Sequence, residues 1–289
     1  MEPKLYKFSG AGNDFVVIDG RGGDVSAFRE VPRIEALCQA FKTDGLMILG
    51  SGDAGVDFTM EFYNPDGSGG MMCGNGGRCI VAFADYLGIR PSCHPELAEG
   101  SYLFMAPDGL HTGEILARPE DGLWTVRIKM IDVQGITPML GGYFLNTGTR
   151  HFVKFVDDVE QVDVEAEGKA LRWNEAFAPI GTNVNFVHVA PDGLHVRTFE
   201  KGVEGETLAC GTGLTASAIA AYEISRLRPA GSARNDNDPV ISTKAEGRVE
   251  KFYRLRARQD WLSVNFTPGA DEKFTDVYLT GPARLVEIH

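Results

Sequence analysis

The chain repeats itself. Gly12 and Gly148, Gly45 and Gly181, and Asn64 and Glu200 stand 136 positions apart, and after one extra residue Cys73 and Cys210 follow at 137. Apolar positions keep the same step, with Val16 over Phe152, Val17 over Val153 and Phe58 over Leu194. The period is far longer than that of solenoid repeats. A constant offset across polar and apolar positions therefore implies two related domains built by duplication within the 289 residues.

Within each half, short alternating runs dominate. Phe15–Ile18, Val56–Phe62, Trp124–Ile128, Val184–Val189 and Leu194–Phe199 have the period of two expected of strands with one buried face. The clearest helical stretches are Arg78–Leu87 and Thr215–Leu227, rich in Ala and large apolar residues on most faces. A helix apolar nearly all round is a buried one. The expected fold class is thus α/β (α+β): two pseudo-symmetric domains, each with strands wrapped around a single central helix.

Bulk properties exclude several functions. A net charge of −12 argues against nucleic acid or an anionic membrane as the main partner. No apolar run approaches the length of a bilayer span, and Met1–Leu5 lacks the layout of a secretory signal, so a cytoplasmic location is expected. Cys38, Cys73, Cys79, Cys93 and Cys210 are an odd set without tight zinc-like spacing, so reduced thiols are expected and no metal. Two polar, breaker-rich stretches, 90–100 and 228–239, read as surface insertions. Cys93 and His94 in the first are assigned no role. A homodimer is left open.

The chemistry lies in two short runs, Cys73-Gly74-Asn75-Gly76 and Cys210-Gly211-Thr212-Gly213. Each follows a Gly-rich loop and opens a helical stretch. Inverting a carbon beside a carboxylate needs a base on one face, an acid on the other, and donors for the developing charge. A thiol at a helix N-terminus meets the first need, because the macrodipole and free amides can lower a cysteine pKa. The same helix ends offer unpaired N–H groups to a carboxylate, and the glycines are read as letting backbone approach the ligand. A lone buried Cys is usually a small hydrophobe, which is the reading for Cys38 and Cys79. The doubled motif at the repeat offset sets Cys73 and Cys210 apart. No residue pattern points to a cofactor.

These residues resemble a known family. Asn64-Pro65-Asp66-Gly67-Ser68 leading to Met72-Cys73-Gly74-Asn75-Gly76-Gly77-Arg78-Cys79 is similar to the first signature of diaminopimelate epimerases, and Glu200 to Gly213 is similar to the second. Gly10–Phe15 and Gly181–Phe186 also match. The resemblance implies a cofactor-independent enzyme interconverting LL- and meso-diaminopimelate, with the active site in a cleft between the halves. It also implies a C-terminal strand returning to the first half, so the expected domains are 1–137 with 275–289, and 138–274. By this resemblance Cys73 and Cys210 are the acid/base pair. Gly74, Asn75, Gly211 and Thr212 hold the reacting carboxylate, chiefly through backbone. Glu200 takes the reacting amino group and, with His151, sets thiol protonation. Asn13, Asn64 and Asn183 grip the distal end. A turn residue is the other reading of Asn64, and a hydrogen-bonded core residue that of His151.

The chain departs from the family where the distal end is read. Lys201 stands where the family usually has Arg, Thr149-Arg150 precede His151 where it usually has Asn or a small residue and then Pro, and Ala40–Thr43 replaces a Gly-rich pattern. Lysine cannot copy the planar fork of arginine, so two expectations follow: Arg150 supplies the lost guanidinium, or the substrate differs. The alternatives are accordingly a racemase of another amino acid, such as histidine, and a non-catalytic binding or redox protein of the same fold, in which Cys73 and Cys210 could pair as a disulfide.

Overall fold

Alternating apolar residues give a strand one face to bury, and a sheet long enough to curl can bury that face on itself around a helix. Residues 3–129 with 280–289, and 130–279, form separate compact units in the computed structural model. The structure describes residues 3–53, 55–70, 72–92, 96–118, 121–227, 240–245 and 248–289. Cys93, His94 and the stretch 228–239 lie outside the described residues.

The first unit contains β1 (Leu5–Gly10), β2 (Asn13–Asp19), α1 (Val31–Phe41), β3 (Leu46–Ser51), β4 (Phe58–Tyr63), α2 (Gly74–Tyr86), β5 (Ser101–Ala106), β6 (Gly109–Ala117) and β7 (Leu123–Lys129). Pairing runs β1–β2, β2–β3, β3–β4, β4–β5, β5–β6 and β6–β7, with β2–β3 and β4–β5 parallel. The last strand of the chain (Phe274–Ile288) then lays its C-terminal half between β1 and β7, antiparallel to both, and closes the sheet into a barrel. Backbone bonds of 2.9 and 2.7 Å between Leu5 and His289 finish the seam. Among the described residues, closure leaves every strand of this unit with a partner on both sides.

Inside the barrel runs α2, buried at every position from Gly74 to Ala84. Phe83 anchors it, its ring centroid 4.9 Å from that of Tyr6 and 5.6 Å from that of Phe8. Removing such a fully buried ring costs about 3–5 kcal/mol. On the outer face, α1 covers β2 and β3 through Ile34, Leu37 and Cys38 against Val16, Ile18 and Ile48.

The second unit repeats the plan. It contains β8 (Ile136–Met139), β9 (Gly142–Asn146), β10 (Arg150–Phe155), α3 (Val164–Arg172), β11 (Asn183–Ala190), β12 (Gly193–Glu200), β13 (Gly205–Thr207), α4 (Gly211–Leu227), β14 (Val240–Ala245), β15 (Arg248–Arg256), β16 (Trp261–Pro268) and the first residues of β17 (Phe274–Ile288). As β2 is parallel to β3 with α1 between, so β10 is parallel to β11 with α3 between. Phe58 of β4 pairs with Phe104 of β5, and Leu194 of β12 with Leu255 of β15, both in parallel register. α4 takes the place of α2, with every residue from Leu214 to Ala220 at 0–1% exposure. Residues 130–133, which follow β7, bond to Phe274 and Val277 at the start of β17. Those bonds carry the unit boundary to 129/130, ahead of the expected 137/138, and β17 crosses at 279/280 rather than 274/275.

The central helices start one turn earlier than the sequence stretches Arg78–Leu87 and Thr215–Leu227, at Gly74 and Gly211. Their first turns are built from Gly, Asn and Thr, poor helix formers that tertiary packing holds in place. α1 and α3 are short, half-exposed helices that the sequence did not single out.

Candidate active site

In the first unit, Cys73 is the N-cap of α2, with extended backbone (φ −97°, ψ 150°), and its Sγ accepts a hydrogen bond from the Gly76 amide at 3.2 Å. The thiol therefore sits at the positive end of a buried helix dipole. The β1–β2 turn bends back over this helix start, with Ala11 and Gly12 at positive φ (56° and 89°). It delivers Asn13, whose Oδ1 accepts from Asn75 Nδ2 at 2.6 Å. Asn75 is held from the other side by Arg78, whose guanidinium, fully buried, donates to Asn75 Oδ1 at 2.8 Å and to the Gly74 carbonyl at 3.1 Å. Asn64 stands apart from this group, closing the turn after β4 with its Nδ2 3.0 Å from Ser68 Oγ.

In the second unit the equivalent turn, between β9 and β10, delivers Thr149 to the equivalent helix start. Its Oγ1 lies 3.4 Å from Thr212 Oγ1, the residue at the Asn75 position of the repeat. Cys210 caps α4, its carbonyl accepting from Leu214 N at 2.9 Å, and its Sγ lies 3.4 Å from Thr212 Oγ1. The Thr212 carbonyl accepts from Thr147 Oγ1 at 2.8 Å. His151, fully buried, places Nε2 2.9 Å from both Thr149 Oγ1 and Thr212 Oγ1. Burial pulls its pKa down to about 3, so the imidazole is neutral near pH 7.

Asn183 braces the ends of β10 and β12. Its Nδ2 donates to Thr149 Oγ1 at 3.2 Å and to the Arg150 carbonyl at 2.8 Å, while its Oδ1 accepts from the Lys201 amide at 2.8 Å. Glu200, next to it at the end of β12, accepts from Thr207 Oγ1 at 2.9 Å. Burial pushes its carboxyl above the usual glutamate value, and the Thr207 bond works against that rise.

Thus Cys73, Gly74, Asn75 and Asn13 form one cluster, and Cys210, Gly211, Thr212, Thr149, His151 and Asn183, with the Lys201 backbone, form another. Arg150 joins neither. It neighbours His151 on a strand, where successive side chains face opposite ways. Its guanidinium lies 5.1 Å over the Phe144 ring and donates to the Phe177 carbonyl at 3.3 Å. Cys38 and Cys79 are core residues at 3% and 0% exposure, and burial pushes both thiols up. Among the described residues no group of three or more His, Cys, Asp or Glu is placed to hold a metal, and no helix is long and apolar enough to cross a membrane.

Two glycines of the signatures have a reason other than ligand approach. A Cβ on Gly213 would fall 2.3 Å from Asn185 Oδ1, and one on Gly76 would fall 3.2 Å from Cys73 Sγ and 3.3 Å from Met47 Sδ. Sequence reasoning missed Arg78, which holds Asn75, and Asn185, whose Nδ2 lies 3.1 Å from His151 Nδ1. Asn185 alternates in the sequence with Val184 and Phe186 and so reads as an outward polar position, but β11 is buried on both faces from Asn183 to Val187.

The family model for diaminopimelate epimerase matches residues 5–103 and 143–250. The diaminopimelate epimerase of Flavobacterium psychrophilum is 36% identical over 287 residues, covering 98% of both chains. That of Chlorobaculum tepidum is 36% identical, covering 96% of this chain and 97% of its own. Among solved structures, a PhzF-family phenazine biosynthesis protein of Bacillus anthracis shares the fold, with a TM-score of 0.68 at 12% identity over 100% of this chain and 99% of its own. With the family model spanning both cysteine clusters and relatives aligned nearly end to end, the chain belongs to the diaminopimelate epimerase family.

Proposed function

We propose that the protein interconverts LL- and meso-diaminopimelate by two-base proton transfer at the α-carbon, with Cys73 and Cys210 as the acid/base pair. The observation that carries this reading is the doubled helix start: each unit caps its buried central helix with a cysteine and holds the next polar residue, Asn75 or Thr212, against the tip of a hairpin. In one direction a thiolate removes the α-proton and a thiol returns a proton to the opposite face. The roles exchange in the other direction, so no external acid or base is consumed. The amides that open α2 and α4 are suited to take the reacting carboxylate and the charge that develops on it. Glu200, acidic and half-buried, is suited to the reacting ammonium.

The distal end is where this chain departs from its family. Arg150 is occupied by Phe144 and Phe177, so in this reading Lys201 reads the distal carboxylate as a single charge rather than a fork. The reaction is set in the cytoplasm, where acid/base thiols stay reduced.

Proton exchange tests the proposal. Reduced protein is mixed with LL-diaminopimelate in D2O and followed by NMR. The α-proton signal should be lost with formation of the meso isomer, and both should cease in Cys73→Ala and Cys210→Ala. Exchange on L-histidine with none on diaminopimelate would replace the substrate, and silence on both would remove the enzyme reading.

A further inference from the structure

Asn185 is polar, fully buried and unused by the chemistry described above. Its orientation is fixed by its surroundings. The Phe152 carbonyl, which can only accept, lies 3.2 Å from Nδ2, and Oδ1 accepts from Thr198 Oγ1 at 3.0 Å. The same Nδ2 lies 3.1 Å from His151 Nδ1. An amide NH2 has no lone pair to offer a ring N–H, so Nδ1 must be the bare nitrogen and the proton of the neutral ring must sit on Nε2.

That choice propagates. The Nε2–H group faces Thr212 Oγ1 and Thr149 Oγ1, both at 2.9 Å. A Thr212 hydroxyl that accepts from the ring turns its own hydrogen elsewhere, and Cys210 Sγ lies 3.4 Å away. With the proton on Nδ1 instead, Nε2 would accept from the threonines and draw that hydrogen off the sulfur. The tautomer therefore decides whether the Thr212 hydroxyl is free to donate to the Cys210 sulfur. Space for Asn185 is kept by Gly213, where any Cβ would fall 2.3 Å from Asn185 Oδ1. The second glycine of the Cys210-Gly211-Thr212-Gly213 run thus serves the amide behind the histidine.

We propose that Asn185 is a positioning residue: by presenting its amide to His151 Nδ1 it holds the ring in the Nε2–H tautomer and so aims the Thr212 hydroxyl at the Cys210 sulfur. Its effect on turnover rests on the reading of Cys210 as an acid/base group; its effect on the tautomer does not. An aspartate of the same shape reverses the demand, because a carboxylate can only accept and so requires a proton on Nδ1.

The test is 15N-detected imidazole NMR on histidine-labelled full-length protein, with no substrate present. Wild-type His151 should carry its proton on Nε2, and Asn185→Asp should move it to Nδ1 or add a second proton. On LL-diaminopimelate, Asn185→Asp should lower kcat roughly three- to tenfold with KM unchanged, since a fully buried side chain cannot touch substrate. The loss should vanish in a Thr212→Val background, because the two residues act through one relay. A wild-type ring protonated on Nδ1 overturns the proposal without any variant. An Asn185→Asp protein that keeps the Nε2–H ring also overturns it. Lack of diaminopimelate turnover in the wild type would instead count against the enzymatic reading and leave the tautomer result standing.

Discussion

Thr212 Oγ1 lies 2.9 Å from His151 Nε2, at the position of the repeat that the first unit fills with Asn75. One half places an amide at its helix start and the other a hydroxyl backed by an imidazole. The duplicated halves therefore present their thiols with different neighbours, and the two cysteines need not behave alike.

Thr212→Val keeps the shape and removes the hydroxyl between ring and sulfur. Its kcat on diaminopimelate should fall about tenfold, the scale of one lost hydrogen bond, while Thr212→Ser should retain most activity. Steady-state kinetics in both directions check this, and a Val variant as fast as wild type would remove Thr212 from the mechanism.

His151 is held neutral by burial, with a folded pKa of about 3 against an ordinary value of 6.5. The unfolded chain therefore binds a proton that the folded chain refuses between those values. Stability from the neutral ring is whole above about pH 6.5 and declines as the pH falls toward 3. Thermal denaturation from pH 7 to 4.5 should show a shallower loss of Tm in His151→Gln than in wild type. Equal slopes would mean that the ring titrates normally in the fold.

Gly213→Ala and Gly76→Ala separate two kinds of crowding. The first drives a methyl to 2.3 Å from Asn185 Oδ1, whereas the second meets sulfur atoms at 3.2 and 3.3 Å that can shift. Overpacking in a tight core costs about 1–3 kcal/mol. Denaturant melts should place Gly213→Ala near the top of that range and Gly76→Ala near the bottom, and the reverse order would refute the account of the second motif.

Arg150→Ala should leave the KM for diaminopimelate unchanged, against the sequence expectation that Arg150 replaces a missing guanidinium. It should lower stability by about 0.5–1 kcal/mol through the lost contact with Phe144. Lys201→Ala should raise KM instead. A large KM rise in Arg150→Ala would restore its expected role.

Much of this was legible in the chain itself. The 136-residue offset announced two like units, and strands lie where Phe15–Ile18 and Leu194–Phe199 predicted them, although Phe15–Ile18 is buried on both faces rather than on one. The cysteines mark helix starts because a Gly-rich entry and an apolar run bracket them. What escaped was side-chain direction across elements. Nothing in the order of residues says that Arg150 faces Phe144 while His151 faces α4; strand parity supplies the alternation but not which side is inward. Asn185 reads locally as a strand residue, and only the packing of α4 on β11 shows why Gly213 must be small. Arg78 opens a stretch read as buried, but only the fold shows how its charge is met, by carbonyls and Asn75 inside the barrel.

The strand Phe274–Ile288 also fixes an order of assembly. Residues 130–279 are contiguous, whereas the first barrel needs residues 280–289 to fill the gap between β1 and β7. During synthesis the second unit can finish while the first, made earlier, waits as an open sheet with two bare edges. The half that emerges first from the ribosome is the last to close.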